Sequence, residues 1–147
     1  MYIVSACLLG ENVKYNGGNN YTGSVATFLK DKEYVLICPE VAGGLSVPRH
    51  PCERLGDRVV GKDGSDVTEA FYSGARRCWE DILEKYSSED IEGAILKARS
   101  PSCGSGVIYD GTFSGVKIPG DGVFSELLKS ENIEVMTELD FDTPDIK

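Results

Sequence analysis

Three of the five cysteines in this sequence follow short apolar runs that are typical of buried strands. They are Cys7, Cys38 and Cys103, spaced 31 and 65 residues apart. This spacing lacks the Cys-x-x-Cys pattern of structural zinc sites and the cysteine run of ferredoxins. Three thiolates from separate loops would suit a [4Fe-4S] cluster with one iron left open. A reactive-thiol site and simple packing are the alternatives.

The other two cysteines have different surroundings. Cys78 lies on the apolar face of a long amphipathic segment, which favours a small buried core residue. Cys52 lies in a proline-rich loop, where it is either near the same site or exposed. Because five is an odd number, a closed disulfide framework would leave one thiol over. We therefore expect free thiols, as in a reducing compartment.

Polar side chains that could handle protons lie next to two of these cysteines. Glu40 follows Cys38 by two residues, and Ser100 and Ser102 precede Cys103. A carboxylate in a partly desolvated pocket can act as a general acid or base. The alternative interpretation is that the glutamate is a solvated loop residue and that the serines cap turns.

Glycines in the same segments would let the backbone approach a ligand closely. Gly43 and Gly44 follow the glutamate, and Gly104 follows the third cysteine. The sequence contains neither a dinucleotide-binding glycine fingerprint nor a phosphate-binding lysine loop, which disfavours nicotinamide and ATP chemistry. His50 is the only histidine, which excludes a histidine-rich metal site.

Hydrophobic periodicity predicts the elements that must position these residues. Strands are predicted over residues 2–6, 34–37, 91–98 and 133–136. Helices are predicted over residues 24–30, 68–86 and 123–129. Hairpins are predicted over residues 58–67, turning at 62–64, and over residues 106–118, turning at 110–111.

Strands that alternate with helices predict an α/β fold. We expect a single three-layer domain over residues 1–147, with a mostly parallel four-stranded sheet of the Rossmann-like or flavodoxin-like type plus a hairpin. Residues 138–147 are expected to form a frayed acidic tail. In open parallel sheets, ligands bind beyond the carboxyl ends of the strands, so the three strand-end cysteines would meet in one pocket.

The overall charge restricts the class of partner. The chain has 147 residues and a net charge of −9. Binding to phosphates needs clustered Lys and Arg, so the acidic balance argues against a nucleic-acid polymer and favours a small molecule. No signal peptide and no apolar stretch long enough to span a bilayer are recognisable. We expect a cytoplasmic protein without a membrane partner, and the oligomeric state is open.

Three groups of motifs resemble, in order and across nearly the whole chain, a bacterial family long known as a domain of unknown function. Its best-understood members are thiouracil desulfidases. The motifs are SACLLG and VKYNG at residues 5–10 and 13–17, CPEVAGGL and PR at 38–45 and 48–49, and SPSCG and IYDG at 100–104 and 108–111.

The resemblance implies a specific chemistry for these residues. Cys7, Cys38 and Cys103 would hold an oxygen-sensitive [4Fe-4S] cluster, which can be lost in air, and its fourth iron would take the substrate sulfur. Glu40 and Ser100 would handle protons, with the glutamate preparing water for attack at the thiocarbonyl carbon. The product would be uracil, and sulfide would be released later.

Around these residues the pocket is expected to include Ser5, Ser102, Gly43, Gly44, Gly104 and Arg49. Cys52 departs from the family pattern, in which a small residue without a thiol would precede Glu53. A fourth ligand or a resolving thiol is therefore a further possibility at this position.

Two hypotheses from other classes compete with the desulfidase. One is a cluster-free persulfide sulfurtransferase or thiol redox protein that uses Cys103 or Cys38. The other is a small-molecule binder without enzymatic activity, whose thiols only fill space.

Overall fold

Twelve helices and strands make up the regular structure of the computed structural model, which describes residues 1–141. In chain order they are β1 (Tyr2–Ser5), α1 (Gly23–Leu29), β2 (Tyr34–Ile37), α2 (Pro39–Ala42), β3 (Cys52–Leu55), β4 (Arg58–Gly61), α3 (Thr68–Lys85), β5 (Gly93–Leu96), β6 (Val107–Tyr109), β7 (Lys117–Pro119), α4 (Val123–Ser130) and β8 (Val135–Thr137). Within residues 1–141, no helix is both long and apolar enough to cross a membrane.

Four parallel strands form the central sheet, in the order β2-β1-β5-β8. Tyr2 of β1 is in register with Tyr34 on one side and with Gly93 on the other. The prediction of a mostly parallel four-stranded sheet is therefore confirmed. Because β1 lies between β2 and β5, the chain reverses its direction of travel across the sheet at β1. Such a reversal creates the crevice at which ligands bind in α/β sheets.

Alternating side chains of the sheet pack against two different helical layers. Ile3 of β1 belongs to a buried cluster with Phe71 of α3 and Phe124 of α4. The next residue, Val4, packs on the opposite face with Val25 of α1. This two-residue alternation is the expected geometry of a strand that is buried on both faces. The predicted three-layer α/β arrangement is thus confirmed.

The chain turns back at residues 62–64 as predicted, but the regular antiparallel strand pair of this region was not predicted. The antiparallel pair is β3 with β4, joined by Gly56 and Asp57, and Gly56 has a left-handed φ of 63°. The predicted turn is spanned by an antiparallel bridge, Val60 with Asp66, and by two backbone hydrogen bonds, from Gly61 N–H to the Ser65 carbonyl at 2.8 Å and from Val67 N–H to the Val59 carbonyl at 3.0 Å. Strand β3 was not predicted, because its buried residue is Arg54, and a buried strand position is normally apolar.

The second hairpin is present, but its connection differs from the prediction. Strands β6 and β7 pair antiparallel, and residues 110–116 connect them in place of a tight turn at 110–111. Glu53 holds this connection, because its Oε1 accepts hydrogen bonds from the backbone N–H groups of Gly111 and Phe113 at 3.0 and 3.1 Å. This connection is therefore held by a residue 58 positions away in sequence and not by a local tight turn.

The acidic tail is more ordered at its start than predicted. Glu138–Asp140 form a 3₁₀-helix that is capped by Thr137, whose hydroxyl accepts from the backbone N–H of Leu139. Glu138 is held against the end of β5, because its Oε1 accepts from the backbone N–H of Ala98 at 2.7 Å. The rest of the predicted tail, residues 142–147, lies outside the described residues.

Candidate active site

A cavity of about 420 Å³ opens beyond the carboxyl ends of β1, β2 and β5. This volume is in the range of small-molecule sites. The walls include Cys7, Cys38, Cys52 and Cys103, while Cys78 is not among them. The sheet topology thus places three strand-end thiols in one cavity, as the sequence predicts.

Each of the three thiols follows its strand in a different way. Cys7 lies in a 3₁₀-turn, Ala6–Leu9, that begins directly after β1. Cys38 precedes α2, which begins at Pro39, since the fixed φ of proline suits the first position of a helix. Cys103 lies in the loop after β5 and is only 4% exposed. All three are free thiols.

Burial keeps these thiols protonated when no metal is bound. It raises the pKa of Cys103 to about 12, although hydrogen bonds from Ser5 and Ser102 act in the opposite direction. Burial also raises the pKa values of Cys7 and Cys38, and a hydrogen bond from Asn20 opposes the rise at Cys7. A positively charged metal centre would therefore have to displace protons in order to bind here.

The spacing of the three thiols does not match a site for a single metal ion. Within residues 1–141, no three His, Cys, Asp or Glu side chains lie close enough together to hold one metal ion. The ligands of one tetrahedral ion, with bonds of about 2.3 Å, lie roughly 3.8 Å apart. A cluster that binds each thiolate through a different iron needs a wider spacing. Soft thiolate donors on three separate loops fit such a polynuclear centre.

Glu40 enters the same cavity from the first turn of α2. Its Oε1 accepts from Arg49 Nε at 3.0 Å, and its Oε2 accepts from the Ser102 hydroxyl at 2.8 Å. The side chain is only 14% exposed. Both carboxylate oxygens therefore have fixed partners, and Glu40 is not a solvated loop residue.

Ser100 and Ser102 connect this carboxylate to the third cysteine. Their hydroxyl oxygens are 3.0 Å apart. Ser100 Oγ also accepts from the backbone N–H groups of Ser102, at 3.1 Å, and of Cys103, at 2.8 Å. The serines thus do cap a turn, and the same turn carries a hydroxyl chain from Cys103 to Glu40.

The family model for 2-thiouracil desulfurase matches residues 2–140, a range that contains every residue lining this cavity. The chain belongs to the 2-thiouracil desulfurase family. The resemblance stated from the motifs is confirmed, and with it the expectation of an enzyme of the desulfidase type.

Two relatives align with this chain over nearly its whole length. The uncharacterised protein YbbK of Bacillus subtilis (strain 168) is 40% identical over 148 residues, which cover 94% of this chain and 95% of the relative. A solved structure described as the [4Fe-4S]-dependent thiouracil desulfidase TudS is 42% identical. It superposes with a TM-score of 0.84 and covers 95% of this chain and 91% of that one, in agreement with the α/β fold.

Most of the residues predicted for the desulfurase pocket line the cavity, but the three glycines do not. Ser5, Ser102 and Arg49 are part of its walls, together with Ser100 and Glu40. Gly43, Gly44 and Gly104 are not part of them.

The glycines serve the backbone instead of a ligand. A Cβ at Gly43 would collide with the carbonyl oxygen of Ala70, and one at Gly74 with that of Pro39. These two glycines therefore let α2 and α3 approach closely. Gly44 adopts a left-handed φ of 93°. A Cβ at Gly104 would lie 2.8 Å from the Ser100 carbonyl oxygen, inside the serine turn.

Two further polar residues at the cavity were missed by the sequence analysis. Asn20 Nδ2 donates to Cys7 Sγ at 3.4 Å, and no local pattern marks this asparagine within its loop. Lys97 follows β5 directly, and its Nζ pairs with Glu138 Oε2 at 2.9 Å. A charged residue immediately after a fully apolar strand is a signal that could have identified the lysine.

Proposed function

We propose that this chain removes the sulfur atom from a small thiolated pyrimidine, such as thiouracil, with a [4Fe-4S] cluster as its cofactor. The proposal is supported by family membership and by the described cofactor and substrate of the similar solved structure. It is also supported by a donor set of three thiols beside a well-held carboxylate.

Cys7, Cys38 and Cys103 are the residues that would hold the cluster. When bound, a cluster with three protein ligands supplies an open iron, which is a Lewis acid with affinity for sulfur. The hydroxyl of Ser5 and the amide of Asn20 donate to two of the ligand sulfurs at 3.3 and 3.4 Å. Such donors stabilise thiolates and hold them in position.

Glu40 is the residue we assign to the activation of water. The reaction converts a thiocarbonyl and water into a carbonyl and hydrogen sulfide, so that no electrons are gained or lost. The glutamate accepts a proton from the attacking water. Its carboxylate is positioned for this step because Arg49 and Ser102 hold it inside the cavity. Ser100 supplies a proton on the side of the leaving sulfur.

The single observation that carries this assignment is the position of Glu40. It is 14% exposed, bonded through both oxygens, and shares one cavity with the three strand-end thiols. A cluster-free sulfurtransferase or a simple binder gives no reason for a buried carboxylate at this place.

Anaerobic purification tests the cofactor assignment. We expect a brown protein with about four irons that converts thiouracil to uracil and sulfide, as measured by chromatography and a sulfide assay. Cys7→Ala should lose the iron, whereas Cys78→Ala, a matched cysteine variant away from the cavity, should retain it. A colourless, iron-free protein with a trapped persulfide and chelator-resistant activity would instead establish the sulfurtransferase.

A second variant pair tests the glutamate. Glu40→Gln should keep the iron but lose at least about 100-fold in kcat. Glu69→Gln, on the exposed surface of α3, should leave both unchanged. Thiouracil binding without turnover in the wild type would favour the non-enzymatic binder.

We further infer that the enzyme works in the reducing cytoplasm as one domain, on a small molecule and not on a nucleic-acid polymer. The five free thiols and the net charge of −9 support this inference.

A further inference from the structure

The hydroxyl of Ser102 lies between the two groups assigned to proton handling. Its Oγ is 2.8 Å from Glu40 Oε2 and 3.0 Å from Ser100 Oγ, and the residue is 3% exposed. Within residues 1–141, no hydrogen bond joins Ser100 directly to Glu40. Any proton that moves between the glutamate and Ser100 without bulk water therefore has Ser102 in its path.

The backbone sets the direction of this hydroxyl chain. Ser100 Oγ accepts from two N–H groups, those of Ser102 and Cys103, and a hydroxyl oxygen has two lone pairs. Both lone pairs of this oxygen are therefore occupied, and the hydroxyl hydrogen of Ser100 donates to Ser102 Oγ. The single hydrogen of Ser102 in turn points to Glu40 Oε2, at 2.8 Å, in preference to the more distant Cys103 Sγ, at 3.6 Å. Before the reaction, both hydroxyl hydrogens point toward the carboxylate.

Ser102 shares two simpler roles with other residues. Ser5 Oγ donates to Cys103 Sγ at 3.3 Å, closer than Ser102 Oγ at 3.6 Å, and the backbone N–H of Lys97 fixes the Ser5 hydroxyl at 3.0 Å. Arg49 already orients Glu40. Stabilising the sulfur or holding the carboxylate therefore leaves the central position of Ser102 unexplained.

We propose that Ser102 relays a proton from Glu40 to Ser100 during the desulfuration, a role that rests on the proposed function. Glu40 takes a proton from water as the hydroxide oxygen bonds to the thiocarbonyl carbon. Ser100 gives its proton to the substrate on the side of the leaving sulfur. Protonated Glu40 is now the donor to Ser102 Oγ, so both hydroxyls rotate and turn their hydrogens away from the carboxylate. Ser102 accepts the proton from Glu40 and passes its own to Ser100, which restores both starting groups. One proton moves from water to substrate, and no oxidant or reductant is needed.

Ser102→Ala removes the relay with little risk to the fold. The backbone carbonyl of residue 102 accepts from the N–H of Phe124 at 2.8 Å, and alanine retains this bond. The matched control is Ser125→Ala, because Ser125 is also fully buried and its hydroxyl has no hydrogen-bond partner within residues 1–141. Iron content and the visible spectrum, measured on anaerobic holoprotein, should be unchanged in both variants.

The kinetic readouts separate a relay from a structural role. In Ser102→Ala we expect kcat to fall about 100-fold, while thiouracil affinity, measured by titration of the visible spectrum, stays within about twofold. In mixtures of H₂O and D₂O, wild-type kcat should give a curved proton inventory, which indicates more than one proton in flight, and the variant a linear one. Ser100→Ala/Ser102→Ala should be no slower than Ser100→Ala, because groups that act as a unit are not additive.

Each contrary outcome has a definite meaning. An inactive, iron-free wild type overturns both the proposed function and the relay. An active wild type with an equally active Ser102→Ala variant overturns the relay alone. A linear proton inventory in the wild type also overturns the relay alone. If the Ser102→Ala variant is slow in that case, Ser102 only positions Glu40.

Discussion

Arg49 and Glu40 form an ion pair that is almost completely withdrawn from water. Arg49 Nε donates to Glu40 Oε1 at 3.0 Å, and the two side chains are 8% and 14% exposed. The same guanidinium donates to the carbonyl oxygens of Val13 at 2.8 Å and Ser46 at 3.1 Å. One arginine therefore ties the candidate base to two loops that are far apart in sequence.

Removing this arginine should destabilise the protein and weaken catalysis together. Arg49→Gln leaves a buried carboxylate without its counter-charge, so we expect the free energy of unfolding to fall by about 3 kcal/mol. Urea denaturation of the apoprotein measures this change. Arg49→Lys should retain only part of the wild-type stability, because an ammonium group cannot contact all three acceptors that the planar guanidinium contacts.

Arg58→Gln is the matched control for this loss. Arg58 pairs with Asp66 at 3.3 Å, but both side chains are more than half exposed. Exposed pairs contribute little to stability, and we expect an unchanged urea midpoint. Equal midpoints for Arg49→Gln and Arg58→Gln would contradict the importance of the buried pair.

Asn20 should control how firmly the metal centre is held at Cys7. Its amide donates to the Cys7 sulfur, and outer hydrogen bonds of this kind change metal affinity by about 10-fold or more. We expect Asn20→Ala to lose iron to a chelator about 10-fold faster than the wild type. Asn19→Ala is the neighbouring control, because Asn19 donates to the exposed Asn12. Identical rates of iron loss in the two variants would remove Asn20 from the metal site.

The close approach of α2 and α3 should make Gly74 intolerant of a side chain. In a helix interior, alanine is normally more favourable than glycine by about 1 kcal/mol. Here its Cβ would collide with the Pro39 carbonyl oxygen, next to Cys38, so we expect Gly74→Ala to destabilise by about 2 kcal/mol. Thermal unfolding measures the sign of this change.

Ser73→Ala provides the comparison within the same helix. Ser73 is only partly buried, and its hydroxyl bonds to the backbone oxygen of Ala70. We expect near-wild-type stability and full iron loading for this variant. A stabilised Gly74→Ala would show that the two helices can separate without cost.

Cys78 should behave as a core residue in chemical labelling. It is 4% exposed, and burial raises its pKa to about 12, so the thiol stays protonated near neutral pH. Iodoacetamide at pH 8 should leave Cys78 unmodified in the folded apoprotein and modify it in urea. Peptide mass spectrometry measures both states, and rapid labelling of the folded protein would contradict the assignment.

Short-range sequence patterns were sufficient to predict the parts of this protein that depend on neighbours in the chain. The strands β1 and β5 follow from apolar runs, because a strand buried on both faces excludes polar side chains. Strand β2 also follows from an apolar run, although it lies at the edge of the sheet, where Tyr34 and Leu36 are exposed. Three thiols at strand ends follow from the topology, because the carboxyl ends of parallel strands meet at one edge. Motif resemblance added the family and the proposed role of Glu40.

Tertiary packing decided the environment of each group at the site. Whether Glu40 is solvated or held depends on Arg49 and on Ser102, which is 62 residues away, and no periodicity reports such a contact. The same holds for Asn20 at Cys7 and for Gly43, whose missing side chain serves helix packing and not a ligand. Strand formation is dictated by local burial and backbone geometry, whereas the hydrogen-bond partners of a side chain exist only after distant segments have packed together.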